Sequence, residues 1–173
     1  MKIRTLLLGA AATMAMAPAA MAERGSDGQA NILYFQAVST MNPYLSSGTK
    51  DVEASSLVIE PLAGYDEKGN MFPRLVTELP TVENGGIAAD FKSVTWKLKP
   101  DLKWSDGTPF TSEDVKFTAE YCMNPDGGCA QLAKYDGIDK VEAVDPTTVK
   151  VTFKEAKPFP FTAFVGSESP IVQ

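Results

Sequence analysis

The chain has 173 residues, of which 44% are hydrophobic and 22% are charged, a composition that suits one globular domain or one piece of a larger protein. Its 16 basic and 22 acidic residues give a formal net charge of −6, and without a basic cluster to follow a phosphate backbone we expect no nucleic-acid partner. The sequence has no histidine, which removes the usual general base at neutral pH and the commonest metal ligand.

The N-terminal segment has the features of a secretory signal peptide. Lys2 and Arg4 precede an apolar run of 13 residues, and the small-x-small triplet AMA at 20–22 follows just before polar sequence. The run is shorter than the roughly 20 apolar residues that a membrane span needs. We therefore predict that residues 1–22 are a cleaved signal peptide and that the mature chain, 23–173, reaches an oxidising space, most simply a bacterial periplasm.

Three elements are predicted in the first part of the mature chain. The segment NILYFQAV at 31–38 is rich in β-branched and aromatic residues, which favours a buried strand. After a loop, apolar residues at helical spacing predict a helix from about Asp51 that ends at Pro61. The sequence DEKGN at 66–70 predicts a turn.

The clearest strand signal lies at 93–99. Val94, Trp96 and Leu98 alternate there with polar residues, which is typical of a strand with one buried face. Trp104 lies beyond this strand, beside an Asp-Gly turn. We interpret both tryptophans as packing residues, and the alternative for Trp104 is a position that lines a cleft.

A helix is predicted after a tight turn at Asp106-Gly107. Thr111, followed three residues later by Asp114, is typical of a capping pair at a helix N-terminus. The helix is predicted to end near Asn124, which precedes a proline. The whole stretch is thus interpreted as a joint between a strand and a helix.

A hairpin and an apolar tail follow. The strands KVEAV at 140–144 and VKVTF at 149–153 flank a turn at 145–148. The mixed order of strands and helices predicts an α/β fold class, or mixed α+β. The tail has six large apolar residues, Phe159, Phe161, Phe164, Val165, Ile171 and Val172. No upstream segment has an obvious apolar face to receive them, so we expect an N-terminal piece of a longer protein, the alternative being a short domain with a frayed end.

Cys122 and Cys129 are separated by six residues that contain Asn-Pro and Gly-Gly, which favour chain reversal. In an exported protein two cysteines usually form a disulfide. Two free thiols, or a metal or redox role, are the alternatives. A metal site would need two further ligands in a chain without histidine, so no metal is predicted.

Four residues are the candidate ligand-binding residues: Ser39, Thr40, Asn42 and Tyr44. They follow the predicted strand at 31–38, and ligand sites in open sheets gather beyond strand ends. They offer hydroxyl and amide groups and one aromatic face. The alternative is a loop that only connects two elements.

No catalytic residues are predicted. Triads of the Ser-His-Asp and Cys-His types need histidine, which the sequence lacks. The acidic pairs Asp66/Glu67 and Glu113/Asp114 lie at a turn and at a helix start, where carboxylates commonly have structural roles. No cofactor is predicted. An exported glycoside hydrolase that uses Asp/Glu pairs remains the alternative of another class.

Four stretches of the mature sequence carry a resemblance to a known family. They are STMNPYLSS at 39–47, EPLAGYDEKGNMFPRLVTELP at 60–80, VTWKLKPDLKWSDGTPFTSEDVKFTAEY at 94–121 and VEAVDPTTVKVTFKEAKPFPF at 141–161. In this order they resemble the N-terminal part of the family 5 extracellular solute-binding proteins, the receptors of peptide, oligosaccharide, opine and nickel ABC importers. The third stretch is the most specific, Val76 in the second stands where that family usually has alanine, and the match covers nearly all of the mature sequence.

The resemblance implies a fold of two lobes that close on a ligand. This chain would be part of lobe one with its inserted subdomain, and the second lobe would be absent, so we expect it to bind ligand weakly or not at all by itself. The implied function is that of a periplasmic component of an ABC importer, which captures peptides or similar solutes, or alternatively oligosaccharides, for a membrane permease. The resemblance also implies a monomer without enzymatic activity and places the loop from Ser39 to Tyr44 toward the cleft.

Overall fold

The structure, a computed structural model, describes residues 28–29 and 31–173. The predicted signal peptide at 1–22 therefore lies outside the described residues. The chain divides into two units, Met1–Leu33 and Tyr34–Gln173, and the second contains every helix and strand that the structure describes. Within the described ranges no helix has the length and apolar character that crossing a membrane requires.

The second unit mixes helices with antiparallel strands, which confirms the predicted fold class. Two strands form a small hairpin, and three form a larger sheet. The elements, in chain order, are a 3-10 turn at Pro43–Leu45, α1 at Thr49–Ser55, β1 at Ala63–Tyr65, β2 at Met71–Pro73, β3 at Ser93–Lys97, α2 at Ser112–Met123, a second 3-10 turn at Leu132–Tyr135, β4 at Ile138–Asp145 and β5 at Thr148–Phe153.

The larger sheet is antiparallel and has the strand order β3-β5-β4. Val94 pairs with Val151 and Trp96 with Val149, and all four side chains are buried on one face. This confirms the predicted alternation in β3 and the predicted hairpin, which is β4 and β5. Since α2 packs against β4 and β5, the main hydrophobic core lies between that helix and the sheet.

The N-terminus of α2 has the predicted cap. The carboxylate of Asp114 accepts a hydrogen bond from the Thr111 backbone N–H at 2.7 Å, and Thr111 Oγ1 accepts one from the Glu113 N–H at 3.3 Å. These bonds satisfy backbone donors that have no partner inside the helix. The helix ends at Met123, next to the predicted position.

The turn before α2 depends on Gly107. Its φ of +89° lies in the region that side chains with a Cβ rarely adopt, and its N–H donates to the Trp104 carbonyl at 2.9 Å. The Asp106 carboxylate accepts bonds from both the N–H and the hydroxyl of Thr108, at 2.8 and 2.7 Å. The predicted joint between strand and helix is therefore confirmed.

The apolar tail packs back onto the same unit. Phe164, Val165 and Ile171 are almost fully buried. The Leu62 N–H donates to the Phe164 carbonyl at 2.9 Å, and the Ile171 N–H donates to the Glu60 carbonyl at 3.0 Å. The expectation that little upstream surface receives these side chains is wrong, because the tail pairs with the chain around β1, far away in the sequence.

The strand predicted at 31–38 is not formed. The structure describes these residues as coil, with Leu33 98% and Phe35 75% exposed. A strand needs a neighbour for its backbone hydrogen bonds, and no described strand pairs with this segment. The helix predicted from about Asp51 is present as α1, but it ends at Ser55, well before the proline.

Candidate functional site

The 39–48 loop, which carries the predicted ligand-binding residues, is tied to the start of α1 by Asp51. One carboxylate oxygen of Asp51 accepts a hydrogen bond from the Ser39 N–H at 2.7 Å, and the other accepts one from the Ser46 hydroxyl at 2.7 Å. Lys50 Nζ lies 2.8 Å from both oxygens and donates to Ser39 Oγ at 2.6 Å. A single buried carboxylate thus joins the two ends of the loop.

The same contacts keep Asp51 ionised. The hydrogen bond from the Lys50 ammonium, followed by those from the Ser39 N–H and the Ser46 hydroxyl, holds the pKa of the Asp51 carboxyl far below its usual range. Each of these donors stabilises the charged form. The loop therefore has its most ordered shape at pH values where this carboxylate carries a charge.

Thr40 and Asn42 shape the loop from within. Thr40 Oγ1 accepts a hydrogen bond from the Asn42 N–H at 3.1 Å. Asn42 Oδ1 accepts one from the Tyr44 N–H at 2.9 Å and so caps the 3-10 turn. The side-chain oxygens of both residues are engaged in holding the turn that follows.

Tyr44 attaches the loop to the hydrophobic core. Its side chain has no exposed surface, and its hydroxyl lies 2.8 Å from the Tyr135 hydroxyl and donates to the Pro170 carbonyl. The Tyr135 hydroxyl also lies 3.2 Å from Ser169 Oγ. Burial raises the pKa of Tyr135 to about 12 and, with the neighbouring phenol, raises the pKa of Tyr44 further. Both rings stay neutral and serve the core.

A disulfide between Cys122 and Cys129 closes a loop at the C-terminal end of α2, as predicted. Cys122 is fully buried in the hydrophobic core, whereas Cys129 is half-buried at its margin. The bond therefore attaches an otherwise turn-rich segment to the core.

The residues directly after the disulfide contact the 39–48 loop. The Ala130 N–H donates to the Tyr44 carbonyl at 2.8 Å. Gln131 is 7% exposed, and its Nε2 donates to the Pro43 carbonyl at 3.3 Å and lies 3.5 Å from the Ser46 carbonyl. The loop is thus held by α1, by the core and by the segment after the disulfide.

A polar cleft of about 510 Å³ opens beside this loop. Lys134 and Glu168 form an ion pair across part of its wall, and the Arg74 guanidinium pairs with Glu60 at 2.8 Å. Charges of both signs, hydroxyl groups and one half-exposed phenol therefore meet around one concave surface. Its principal side chains are Thr49, Glu53, Tyr65, Arg74, Lys134 and Glu168.

A second cleft of about 540 Å³ shares Ser56 and Arg74 with the first and has several large apolar side chains in its lining. Leu57 and Val58 line it together with Leu102, Trp104 and Phe110. The Trp104 and Phe110 ring centroids are 5.2 Å apart, so Trp104 packs as predicted and also lines a cleft. Its indole N–H is buried without a hydrogen-bond partner.

The four predicted ligand-binding residues lie together in one loop, but in different surroundings. Ser39 is exposed and Thr40 and Asn42 are half-buried, whereas Tyr44 is in the core and offers no face to a ligand in this conformation. No contact in the structure tests ligand binding, so their role stays a prediction. The sequence prediction of the site did not include Asp51. The one feature that could have indicated it is its position as an acidic residue in the first turn of a helix.

One member of each acidic pair has the structural role expected of it. The Asp66 carboxylate accepts hydrogen bonds from the backbone N–H groups of Lys68 and Asn70 and closes the β1–β2 turn, and Asp114 caps α2. Among residues 28–29 and 31–173 no cluster of histidine, cysteine and carboxylate side chains is arranged to hold a metal ion.

Comparisons with protein sequences point to one family. The family model described as bacterial extracellular solute-binding proteins, family 5, middle, matches residues 71–173, which is more than half of the chain. The glutathione-binding protein GsiB of Escherichia coli (strain K12) is 32% identical over 127 residues, which cover 73% of this chain and 23% of GsiB. The chain therefore spans about a quarter of the length of this curated relative.

Solved structures agree with the sequence match. AgaA from A. tumefaciens R10, in complex with agropinic acid, has a TM-score of 0.67 and 27% identity, covering 79% of this chain and 26% of AgaA. OppA of Haemophilus influenzae, in complex with the peptide RPPGFSPFR, has a TM-score of 0.67 at 21% identity, covering 79% of this chain and 29% of OppA, and shares the fold. The chain belongs to family 5 of the bacterial extracellular solute-binding proteins.

Proposed function

We propose that the protein is the periplasmic substrate-binding component of an ABC importer, which captures peptides or similar solutes and delivers them to a membrane permease without performing a reaction. Membership of the family supports binding as the activity. The predicted signal peptide at 1–22 supports export to the periplasm. The ligand and the permease subunits would then be its partners, and the protein would act as a monomer.

The observation that carries this proposal is the polar cleft beside the 39–48 loop. A peptide in water at neutral pH carries an ammonium and a carboxylate, and the cleft wall presents carboxylates such as Glu53 together with the cations Arg74 and Lys134. Opposite charges on one concave wall orient such a zwitterion. The four predicted ligand-binding residues do not line this cleft. In this proposal Asn42 and Tyr44 hold the loop beside it, and Ser39 and Thr40 contact a solute that extends beyond the cleft along the loop.

Binding would act through a change in lobe arrangement. In a protein of two lobes, a solute that contacts both lobes favours the closed form, since its contacts are complete only there. The permease then distinguishes closed from open protein. The loop that Asp51 and Tyr44 hold in place would supply one fixed wall against which the second lobe closes.

A thermal-shift screen of the complete mature protein tests the proposal. Trialanine and S-methylglutathione serve as peptide probes, raffinose serves as the oligosaccharide probe, and glycerol at the same concentration is the control. A solute that binds only the folded state raises the melting temperature, and the rise grows with the logarithm of solute concentration above the Kd. We expect a rise with a peptide; a rise with raffinose alone would establish the oligosaccharide alternative, and turnover of a glycoside substrate would establish the hydrolase.

A further inference from the structure

We propose that the disulfide-closed loop at 122–129 and Gln131 act together as positioning elements for the 39–48 loop, so that the oxidation state of the disulfide sets how firmly the wall of the polar cleft is held. The positioning itself is independent of which solute binds. Its consequence for solute affinity rests on the proposed function.

The contacts run from the disulfide to the loop without interruption. Cys129 is joined to the core through Cys122, and the next residue, Ala130, donates its N–H to the Tyr44 carbonyl at 2.8 Å. Gln131 follows and donates its side-chain amide to the Pro43 carbonyl at 3.3 Å. The covalent bond therefore fixes the backbone immediately beside the contacts that hold the 3-10 turn.

Among the described residues, the acceptors found for the buried side-chain amide of Gln131 are carbonyls of the 39–48 loop. Its side chain is 7% exposed, and the hydrogen bonds found for its amide go to the Pro43 and Ser46 carbonyls. A buried amide that loses its partners carries a desolvation penalty. The favourable arrangement for Gln131 is therefore the one in which the 39–48 loop keeps its shape.

The turn inside the disulfide, at 124–128, is held mainly by its own short-range contacts. Met123 ends α2 and packs against the core, but Asn-Pro-Asp-Gly-Gly has turn hydrogen bonds such as Gly127 N–H to the Asn124 carbonyl at 2.9 Å. Gly128 has a positive φ of +63°. Without the covalent bond this flexible stretch would loosen the attachment of Ala130 and Gln131, because the cross-link restricts the conformations open to it.

The experiment compares hydrogen exchange in the oxidised and reduced forms of the complete mature protein, with no solute present. Dithiothreitol supplies two electrons and two protons, the Cys122–Cys129 bond breaks to give two thiols, and the reductant becomes a cyclic disulfide. Gln131→Ala in the oxidised protein removes the side-chain contacts alone. Leu132→Ala is the matched control, since it truncates the neighbouring side chain, which is 49% exposed.

We expect amide exchange in the 39–48 loop to accelerate about tenfold on reduction and in Gln131→Ala, but not in Leu132→Ala, while exchange in the β3–β5–β4 sheet stays unchanged. A loop that exchanges equally in all forms overturns the proposal. A rise of the same size in the sheet also overturns it, because the disulfide would then stabilise the unit as a whole.

A titration separates this inference from the proposed function. With trialanine, the oxidised protein should bind about tenfold more tightly than the reduced protein or Gln131→Ala. If no form binds any peptide or oligosaccharide while the loop still loosens as described, the proposed function fails and the positioning role stands. Equal affinity of all forms for a bound peptide would contradict the link between the disulfide and the cleft.

Discussion

The three-stranded sheet with α2 and the 39–48 loop are held in different ways. Trp96 in β3 faces Val149 in the neighbouring strand, and the strand's own alternation decides which face is buried. Tyr44 in the loop is equally buried, but its partners are Tyr135 and Pro170, far along the chain. The sheet owes its form to local pattern and burial, and the loop owes its form to long-range polar contacts. Substitutions that affect one region and spare the other test this difference.

The largest effect is expected in the sheet, from Trp96→Ala. Removing a fully buried indole from the core leaves a cavity and should lower the free energy of unfolding by about 4 kcal/mol. Urea unfolding of the complete mature protein measures this loss. Val144→Ala on β4, where the side chain is 60% exposed, is the control and should change stability by about 0.5 kcal/mol or less. Equal losses would show that the core does not centre on Trp96.

Tyr44→Phe tests the polar anchoring of the loop. The change keeps the ring and removes a hydroxyl that bonds to Tyr135 and Pro170, leaving buried partners unsatisfied at a cost of about 2 kcal/mol. Tyr65→Phe, at a phenol that is 47% exposed, should have almost no effect. Thermal unfolding compares the two variants, and an unchanged melting temperature for Tyr44→Phe would rule out the anchor.

Thr111→Ala should have a smaller effect, since it removes one helix cap. We expect a loss of about 1 kcal/mol in chemical denaturation, because the Glu113 N–H loses its acceptor. The preference among solutes should not change, because the joint lies outside the proposed cleft. Ser105→Ala, in the exposed turn nearby, is the control. A switch in solute preference would contradict the structural interpretation of this stretch.

The last prediction concerns pH dependence rather than stability at neutral pH. The pKa of Asp51 is depressed in the folded state, so its contribution to stability is present above its unfolded pKa of about 3.9 and is lost as the pH falls toward the folded value. Asp51→Asn cannot titrate and should therefore lose less stability between about pH 4 and pH 2. Urea unfolding at each pH measures the free energy of unfolding of both proteins. If the two free energies fall in parallel as the pH is lowered, Asp51 is not the group responsible.

The same contrast explains which parts of the structure the sequence could predict. The alternation around Trp96, the Thr111–Asp114 cap and the turn at Gly107 are local patterns, and all three are confirmed. The strand at 31–38 was predicted from composition, but a strand forms only where a neighbour supplies hydrogen bonds. The tail at 163–171 pairs with residues near β1. Residues so far apart in the sequence have no local pattern that predicts their pairing.

In the candidate site, too, local patterns could be predicted from the sequence and long-range contacts could not. Ser39, Thr40 and Asn42 could be chosen as a polar loop after an apolar run, and they do lie together. The burial of Tyr44 and the part played by Gln131 could not be predicted, because each depends on groups that are far apart in the sequence. The polar cleft likewise assembles side chains from five separate segments.

Calorimetric titration of trialanine into the complete mature protein tests the central claim, that the polar cleft binds a charged solute, most directly. We expect saturable one-to-one binding that Glu53→Gln weakens about tenfold by removing a carboxylate from the cleft wall. Glu113→Gln, at an exposed glutamate on α2 away from the cleft, should leave the affinity unchanged. Binding that is indifferent to both substitutions would place the solute elsewhere, and no heat with any peptide would contradict the account.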